Sequence, residues 1–319
     1  MKRNALKPFG LACMVALGLA ACGGESSKPA GSAASGEAPA AVSGQGTLEK
    51  IKSSGTIVLG HRDSSIPFSY IADQPNQPVG YAHDLQLKVV EAVKQELNMP
   101  DLKVRYNLVT SQNRIPLVSN GTVDIECGST TNNLERQKQV DFSNAFFEIG
   151  TRLMTANDSG IQGFPDLKGK TVVTTAGTTS ERLLKAYNDK EKLGMNIISA
   201  KDHGEAALML FNGRAQAFMM DDILLAGERA KTAEPDKWVI VGEPMSFERY
   251  GCMLRKGDSA FKTVVDGALD ATFKNTAEID ALYKKWFESP IPPKNVNLDF
   301  PMSAQVKEII ANPTDQAVE

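Results

Sequence analysis

From Thr56 onward the chain alternates between two hydrophobic patterns. Thr56–His61 (T-I-V-L-G-H) is apolar and β-branched, the pattern of a buried strand. Residues 84–97 put Leu85, Val89, Val90, Val93 and Leu97 on one helical face, and Asn98 and Pro100 end that helix. Residues 104–109 read as a second strand, then a short helix runs to Gly121, then Val123, Ile125 and Cys127 mark a third strand. This β-α-β-α-β order predicts a mostly parallel sheet. The pattern restarts near Lys170, with strands at Thr171–Thr175, Asn196–Ala200, 217–220 and 239–242. Helices alternate with them, one opening on Gly177-Thr178-Thr179-Ser180-Glu181 and one at about 203–212. Two strand-like stretches, 150–156 and 250–256, connect the two runs, and 260–287 reads as helical, with Trp286 and Phe287 as core anchors. The fold class is therefore α/β, in two lobes joined by two hinge strands. The expected division is 47–150 plus 251–319 for lobe 1 and 151–250 for lobe 2. The cleft between the lobes is the natural ligand site.

The first 46 residues lie outside this pattern. Lys2, Arg3 and Lys7 precede an apolar stretch at 11–19. That stretch is shorter than the roughly 20 residues a spanning helix needs, and it reads as the core of a signal peptide covering 1–21. Leu19-Ala20-Ala21-Cys22-Gly23 resembles a bacterial lipobox, in which Cys22 carries the lipid and becomes the first mature residue. A plain secretory signal cleaved after Ala21 is the alternative. Residues 22–46 are Gly-, Ser-, Ala- and Pro-rich, cannot bury enough surface to fold, and would make a flexible tether with a reach of roughly 25 Å. The expected location is the periplasm, with the body held to a membrane through Cys22. Of the four cysteines, Cys127 and Cys252 belong to the folded body. In an oxidising export compartment they are a disulfide pair by expectation, two buried free thiols being the alternative.

Formal net charge is −3, so no global basic field exists to hold nucleic acid. Any anion must be held locally. Val123 to Arg136 (V-D-I-E-C-G-S-T-T-N-N-L-E-R) has the makings of such a grip: a strand end, hydroxyls at Ser129, Thr130 and Thr131, then the forked cation of Arg136. Ligands of open α/β sheets gather at strand carboxyl ends. There the chain delivers Arg62, Ser111, Arg114, Ser129, Thr131 and Arg136 from the first run, and Thr179, His203, Asp221 and Asp222 from the second. Each has a plainer structural alternative. Arg62 and Arg114 would be solvated charges, Arg136 a surface partner of Glu135 or Asp141, and His203, Thr178, Thr179 or the aspartates helix caps. The cations exceed what one carboxylate needs, and the aspartates offer an ammonium acceptor. A dehydratase on such a scaffold would need an acid over a leaving hydroxyl, whereas these groups are mostly cations and hydroxyls, so binding without turnover is expected.

The chain from about Thr47 to the C-terminus resembles the periplasmic substrate-binding proteins of polar amino acid ABC transporters, and most of all their glutamate/aspartate-binding branch. The resemblance rests on G-H-R-D-S-S-I-P-F-S-Y, T-S-Q-N-R-I-P-L, E-C-G-S-T-T-N-N-L-E-R-Q-K-Q, G-T-T-S-E, I-S-A-K-D-H-G, A-F-M-M-D-D, Y-G-C-M-L-R-K and S-P-I-P-P-K-N, in that order. It implies a type II two-lobe binding-protein fold, no cofactor, a monomer, and a membrane permease as partner. It implies that Ser129, Thr131 and Arg136 clamp an α-carboxylate, Asp221 accepts the ammonium, and Thr179 adds a hydroxyl at a helix N-terminus. Arg62, Ser111, Arg114 and His203 would surround the side-chain carboxylate of L-glutamate or L-aspartate. The same class with glutamine or asparagine as ligand, and a sensory or adhesion lipoprotein without transport, remain alternatives.

Overall fold

The structure is a computed structural model and describes residues 45–317. The signal peptide, the lipidation site at Cys22 and all but the last two residues of the tether lie outside the described residues.

Two sheets form the body. The first runs in the order Lys103–Leu108, Thr56–His61, Ile125–Glu126, Met253–Arg255, Val140–Phe142. Its first three strands are parallel, and Met253–Arg255 lies antiparallel to both neighbours. The second runs Asn196–Ala200, Thr171–Thr175, Ala217–Asp221, Phe147–Ala156, Trp238–Val241, again with three parallel strands and then an antiparallel one. A small three-stranded sheet joins Ser64–Ser65, Ser69–Ile71 and Pro78–Val79.

The ten-residue strand Phe147–Ala156 belongs to both halves of the molecule. Its end, from Thr151 onward, pairs within the second sheet, while Phe147 to Gly150 pairs with Phe247–Tyr250 as a two-stranded ribbon. The returning stretch, read from sequence as one strand, is two, Phe247–Tyr250 and Met253–Arg255, with Gly251 and Cys252 between them. The break lets the chain turn from the ribbon into the first sheet. There Cys252 is disulfide-bonded to Cys127, next to the Ile125–Glu126 strand.

The helix expected from residue 84 begins three residues earlier, as Tyr81–Leu97. It starts on Gly80 at φ +136°, where an added Cβ would stand 2.2 Å from the Phe68 carbonyl oxygen, so only glycine fits. The helical stretch at 260–287 is two helices, Ser259–Lys274 and Thr276–Phe287, separated at Asn275. Phe68 packs edge-on against both Phe147 and Tyr250 of the ribbon and Phe287 stacks on Phe147, with centroids 4.9 to 5.1 Å apart. All four are fully buried.

Candidate ligand-binding site

The strand Thr56–His61 is buried along nearly its whole length, so the chain leaving it at Arg62 is already inside the molecule. The Arg62 backbone N–H donates to Ser69 Oγ at 3.0 Å. Its guanidinium donates to Ser111 Oγ at 3.1 Å and to Ser129 Oγ at 3.4 Å, and Ser129 Oγ donates to Ser65 Oγ at 3.0 Å. Arg114 opens the helix Arg114–Ser119 and donates to the Ser129 carbonyl at 2.9 Å and to Thr130 Oγ1. Ser129 thus stands with Arg62 and Arg114. Arg136 lies in the short helix Leu134–Gln137, capped by the Asn133 side chain, and donates to the carbonyls of Thr131 at 2.8 Å and Gly177 at 3.4 Å.

Arg62 and Arg114 are 1% exposed and Arg136 is 7% exposed. The surface alternatives for them are thereby excluded; Glu135 and Asp141 pair with Lys138 and Lys256. None of the ion pairs among the described residues includes Arg62, Arg114 or Arg136. The Nε atoms of Arg62 and Arg114 have no hydrogen-bond partner. Burial, and then the charge of Arg114, push Arg62 down to about 10 and Arg136 down to about 9. Both remain cations at neutral pH, and burial lowers Arg114 as well. Buried cations this sparsely paired are costly unless they serve an anion.

His203 begins the helix His203–Phe211, whose cap is the Asp202 side chain, so the histidine is not the capping group. Its Nε2 faces Arg62 Nη2 at 3.4 Å and its Nδ1 faces Thr175 Oγ1 at 2.9 Å. A guanidinium only donates, so Nε2 carries the lone pair and Nδ1 the proton. Burial first, then Arg62, Arg114 and Lys231, hold His203 well below the ordinary histidine range, so it is neutral.

A second group of residues gathers around the ribbon. Asp221 ends the strand Ala217–Asp221; its Oδ2 accepts from the Tyr250 hydroxyl and its Oδ1 from Ser180 Oγ at 3.2 Å. Burial, then the neighbouring Glu248, push Asp221 up to about 7. Asp222, not Asp221, uses its side chain at the helix start, accepting from the Ile223 N–H at 2.7 Å. Thr178 is the cap of helix Thr179–Glu191, which leaves the Thr179 hydroxyl free of that duty. Thr179 Oγ1 instead donates to Glu248 Oε2 at 2.6 Å, and Thr131 Oγ1 donates to the same oxygen at 2.5 Å.

Sequence reasoning brought forward all the arginines and Asp221 but missed Glu126, Glu248 and Tyr250. Glu126 is fully buried beside the arginines and accepts from Thr130 Oγ1 at 2.7 Å. The apolar alternation of Val123, Ile125 and Cys127 marks only one face of this strand, whereas Ile125–Glu126 is buried on both. Glu248 and Tyr250 are two residues apart on one strand face, an alternation that S-F-E-R-Y-G-C displays.

Residues 57–289 match the bacterial extracellular solute-binding proteins, family 3. The chain belongs to that family of binding proteins. It is 68% identical over 274 residues to the L-glutamate/L-aspartate-binding protein of Pseudomonas aeruginosa, covering 86% of this chain and 90% of the relative. It is 56% identical over 281 residues to the glutamate/aspartate import solute-binding protein of Salmonella typhimurium, covering 88% and 91%. The crystal structure of a cysteine-binding protein from Campylobacter jejuni shares the fold at TM-score 0.66 and 24% identity, covering 80% of this chain and 98% of that one.

Proposed function

We propose that this chain is the solute-binding component of an ABC importer and that it takes L-glutamate or L-aspartate into the cleft between its lobes. The observation that carries this reading is the set of three buried guanidiniums, Arg62, Arg114 and Arg136, none of them in an ion pair among the described residues, with Arg114 within electrostatic reach of both others. One forked cation suits one carboxylate; this number suits two. Arg136 takes the α-carboxylate beside the helix N-terminus at Thr179. Arg62 and Arg114, with Ser111, Ser129 and neutral His203, take the side-chain carboxylate. Asp221 takes the ammonium. The names of the Pseudomonas and Salmonella relatives support the same ligand class.

The lobes divide at 150/151 and 250/251, a reading supported by the ribbon where Phe247 pairs with Gly150. A bound amino acid touches both lobes and so favours their closed arrangement, which a membrane permease then receives. The protein acts in the periplasm as a monomer, with Cys22 as its lipid anchor. Titration calorimetry with the acidic amino acids and their amides tests the ligand class. Glutamate and aspartate are expected to bind at least about a hundredfold more tightly than glutamine and asparagine, because an amide leaves a guanidinium without its charge partner. Equal binding of an amide would overturn the assignment. Radiolabelled palmitate incorporation lost in Cys22→Ser tests the anchor.

A further inference from the structure

We infer that Glu248 is a positioning residue that commits the hydroxyl protons of Thr131 and Thr179, so that both hydroxyls face the bound solute as acceptors and this end of the cleft receives its ammonium group. The inference deepens the reading of the site as an amino acid cleft and rests on it.

The argument begins with the capacity of a hydroxyl. Threonine has one O–H to give and two lone pairs to offer. Thr131 Oγ1 gives its proton to Glu248 Oε2 at 2.5 Å, and Thr179 Oγ1 gives its proton to the same oxygen at 2.6 Å. A hydroxyl so committed attracts an N–H donor and repels a carboxylate oxygen. The resemblance to the family makes Thr131 part of the α-carboxylate clamp; Glu248 turns its hydroxyl instead toward the ammonium group borne by the same α-carbon.

The carboxylate is held firmly enough to impose this. Glu248 is 4% exposed, and its other oxygen accepts from Ser246 Oγ at 3.1 Å. Thr131 is fixed beside it by the backbone. The Asn132 N–H donates to the Arg249 carbonyl at 2.8 Å and the Gly251 N–H to the Thr130 carbonyl at 3.1 Å, bracketing a bridge between Thr131 and Tyr250. Thr179 comes from the other side of the cleft, in the first turn of its helix.

The same strand face also organises Asp221. Tyr250, two residues from Glu248, donates to Asp221 Oδ2. Two side chains of one ribbon strand therefore set the acceptor polarity of Asp221, Thr131 and Thr179. An ammonium group has three N–H donors, and these residues offer one acceptor to each.

A thermodynamic cycle by titration calorimetry with L-glutamate tests this on the folded protein. Glu248→Ala is expected to weaken binding by roughly tenfold to a hundredfold. Glu248→Gln, whose amide oxygen still accepts from both hydroxyls, loses less. The double variant Thr131→Val/Thr179→Val is expected to lose at least as much as Glu248→Ala. Adding Glu248→Ala to it weakens binding no further, because the interaction is already gone. Additive losses would assign Glu248 a merely structural role and overturn the inference, as would an unaltered or tightened Glu248→Ala. Should Glu248→Ala fail to fold by circular dichroism, the cycle is run with Glu248→Gln and the threonine pair, with the same two outcomes. Wild-type protein that binds no L-glutamate would overturn the proposed function and this inference together; wild-type binding with additive variants overturns the inference alone.

Discussion

Arg114 is held by the Ser129 carbonyl and the Thr130 hydroxyl, neither of which carries charge, while its Nε has no partner. Arg114→Ala is therefore expected to weaken L-glutamate binding by about 2–5 kcal/mol, much of it the cost of a buried carboxylate short of a partner. Arg114→Lys restores charge but not the fork and is expected to recover little of the loss. Calorimetry that found glutamate bound by Arg114→Ala as in wild type would refute the side-chain assignment. Asp221 makes binding depend on pH. It is surrounded by Glu248, Asp222 and Tyr250, with Arg136 and Arg114 within electrostatic reach. Its carboxyl is raised to about 7, so capture of an ammonium there expels a proton, and affinity is expected to rise between about pH 6 and about pH 8. His203 stays neutral over that range and adds nothing to the slope. Without ligand the sign reverses. The folded carboxyl keeps its proton above its ordinary value of 3.8, so its contribution to stability is present below that value and is lost as pH rises toward about 7. Asp221→Asn should abolish both slopes, and a pH-independent wild-type affinity would count against Asp221 as the ammonium acceptor. At this scale the cations were legible because strand ends are where a sheet delivers them. Glu248 was not, because the strand carrying it was read as starting only at Tyr250, which hid the alternation that pairs the two.

Helices and strands meet across the cleft at places where there is no room for a side chain. An added Cβ on Gly177, at φ +78°, would stand 2.8 Å from the Cα of Gln112 in the loop before helix Arg114–Ser119. One on Gly227, within helix Asp222–Ala230, would stand 2.7 Å from the Ile66 carbonyl oxygen. Both contacts join segments on opposite sides of the cleft, and the nearest obstructing atoms are backbone. Gly227→Ala should leave each lobe intact, since alanine suits a helix, yet hold the lobes apart. If only the closed arrangement binds tightly, apparent affinity falls with the fraction that closes, and a loss on the order of tenfold is expected. Small-angle scattering with saturating L-glutamate would show a radius of gyration larger than that of loaded wild type; identical radii and affinities would refute the contact's role. Strong hydrophobic periodicity made the long elements legible, as at Thr171–Thr175 and Asn196–Ala200, which match residue for residue. The break at Asn275 was missed because helical spacing continues on both sides of it, and the start at Tyr81 because Gly80 there answers a steric demand of Phe68, not a local propensity.

For the molecule as a whole, the chain leaves the first sheet once and returns once, and the covalent link sits where it returns. Both crossings were legible as apolar strand-like stretches flanking a second run of alternating elements. Their pairing as one ribbon was not, since register depends on partners distant in sequence. Cys127 and Cys252 are separated by 125 residues, and the loop they close contains every strand of the second sheet. A cross-link over so long a loop limits the unfolded chain strongly, and replacing both cysteines with serine is expected to cost about 2–5 kcal/mol of stability. The folded site, however, has other supports in the same region. The Thr131–Tyr250 bridge and the bond from the Asn132 N–H to the Arg249 carbonyl hold the 129–136 loop against the ribbon, and Phe68 packs edge-on against the ribbon's Phe147 and Tyr250. The disulfide should therefore act mainly on the unfolded state. Urea unfolding of Cys127→Ser/Cys252→Ser is expected to show a clearly lowered midpoint, while its affinity for L-glutamate changes far less than that of Arg114→Ala. An unchanged midpoint would remove the bond from the account of stability. An affinity loss as large as that of Arg114→Ala would mean that the bond positions the clamp directly, because hydrogen bonds and packing would then be insufficient to hold it.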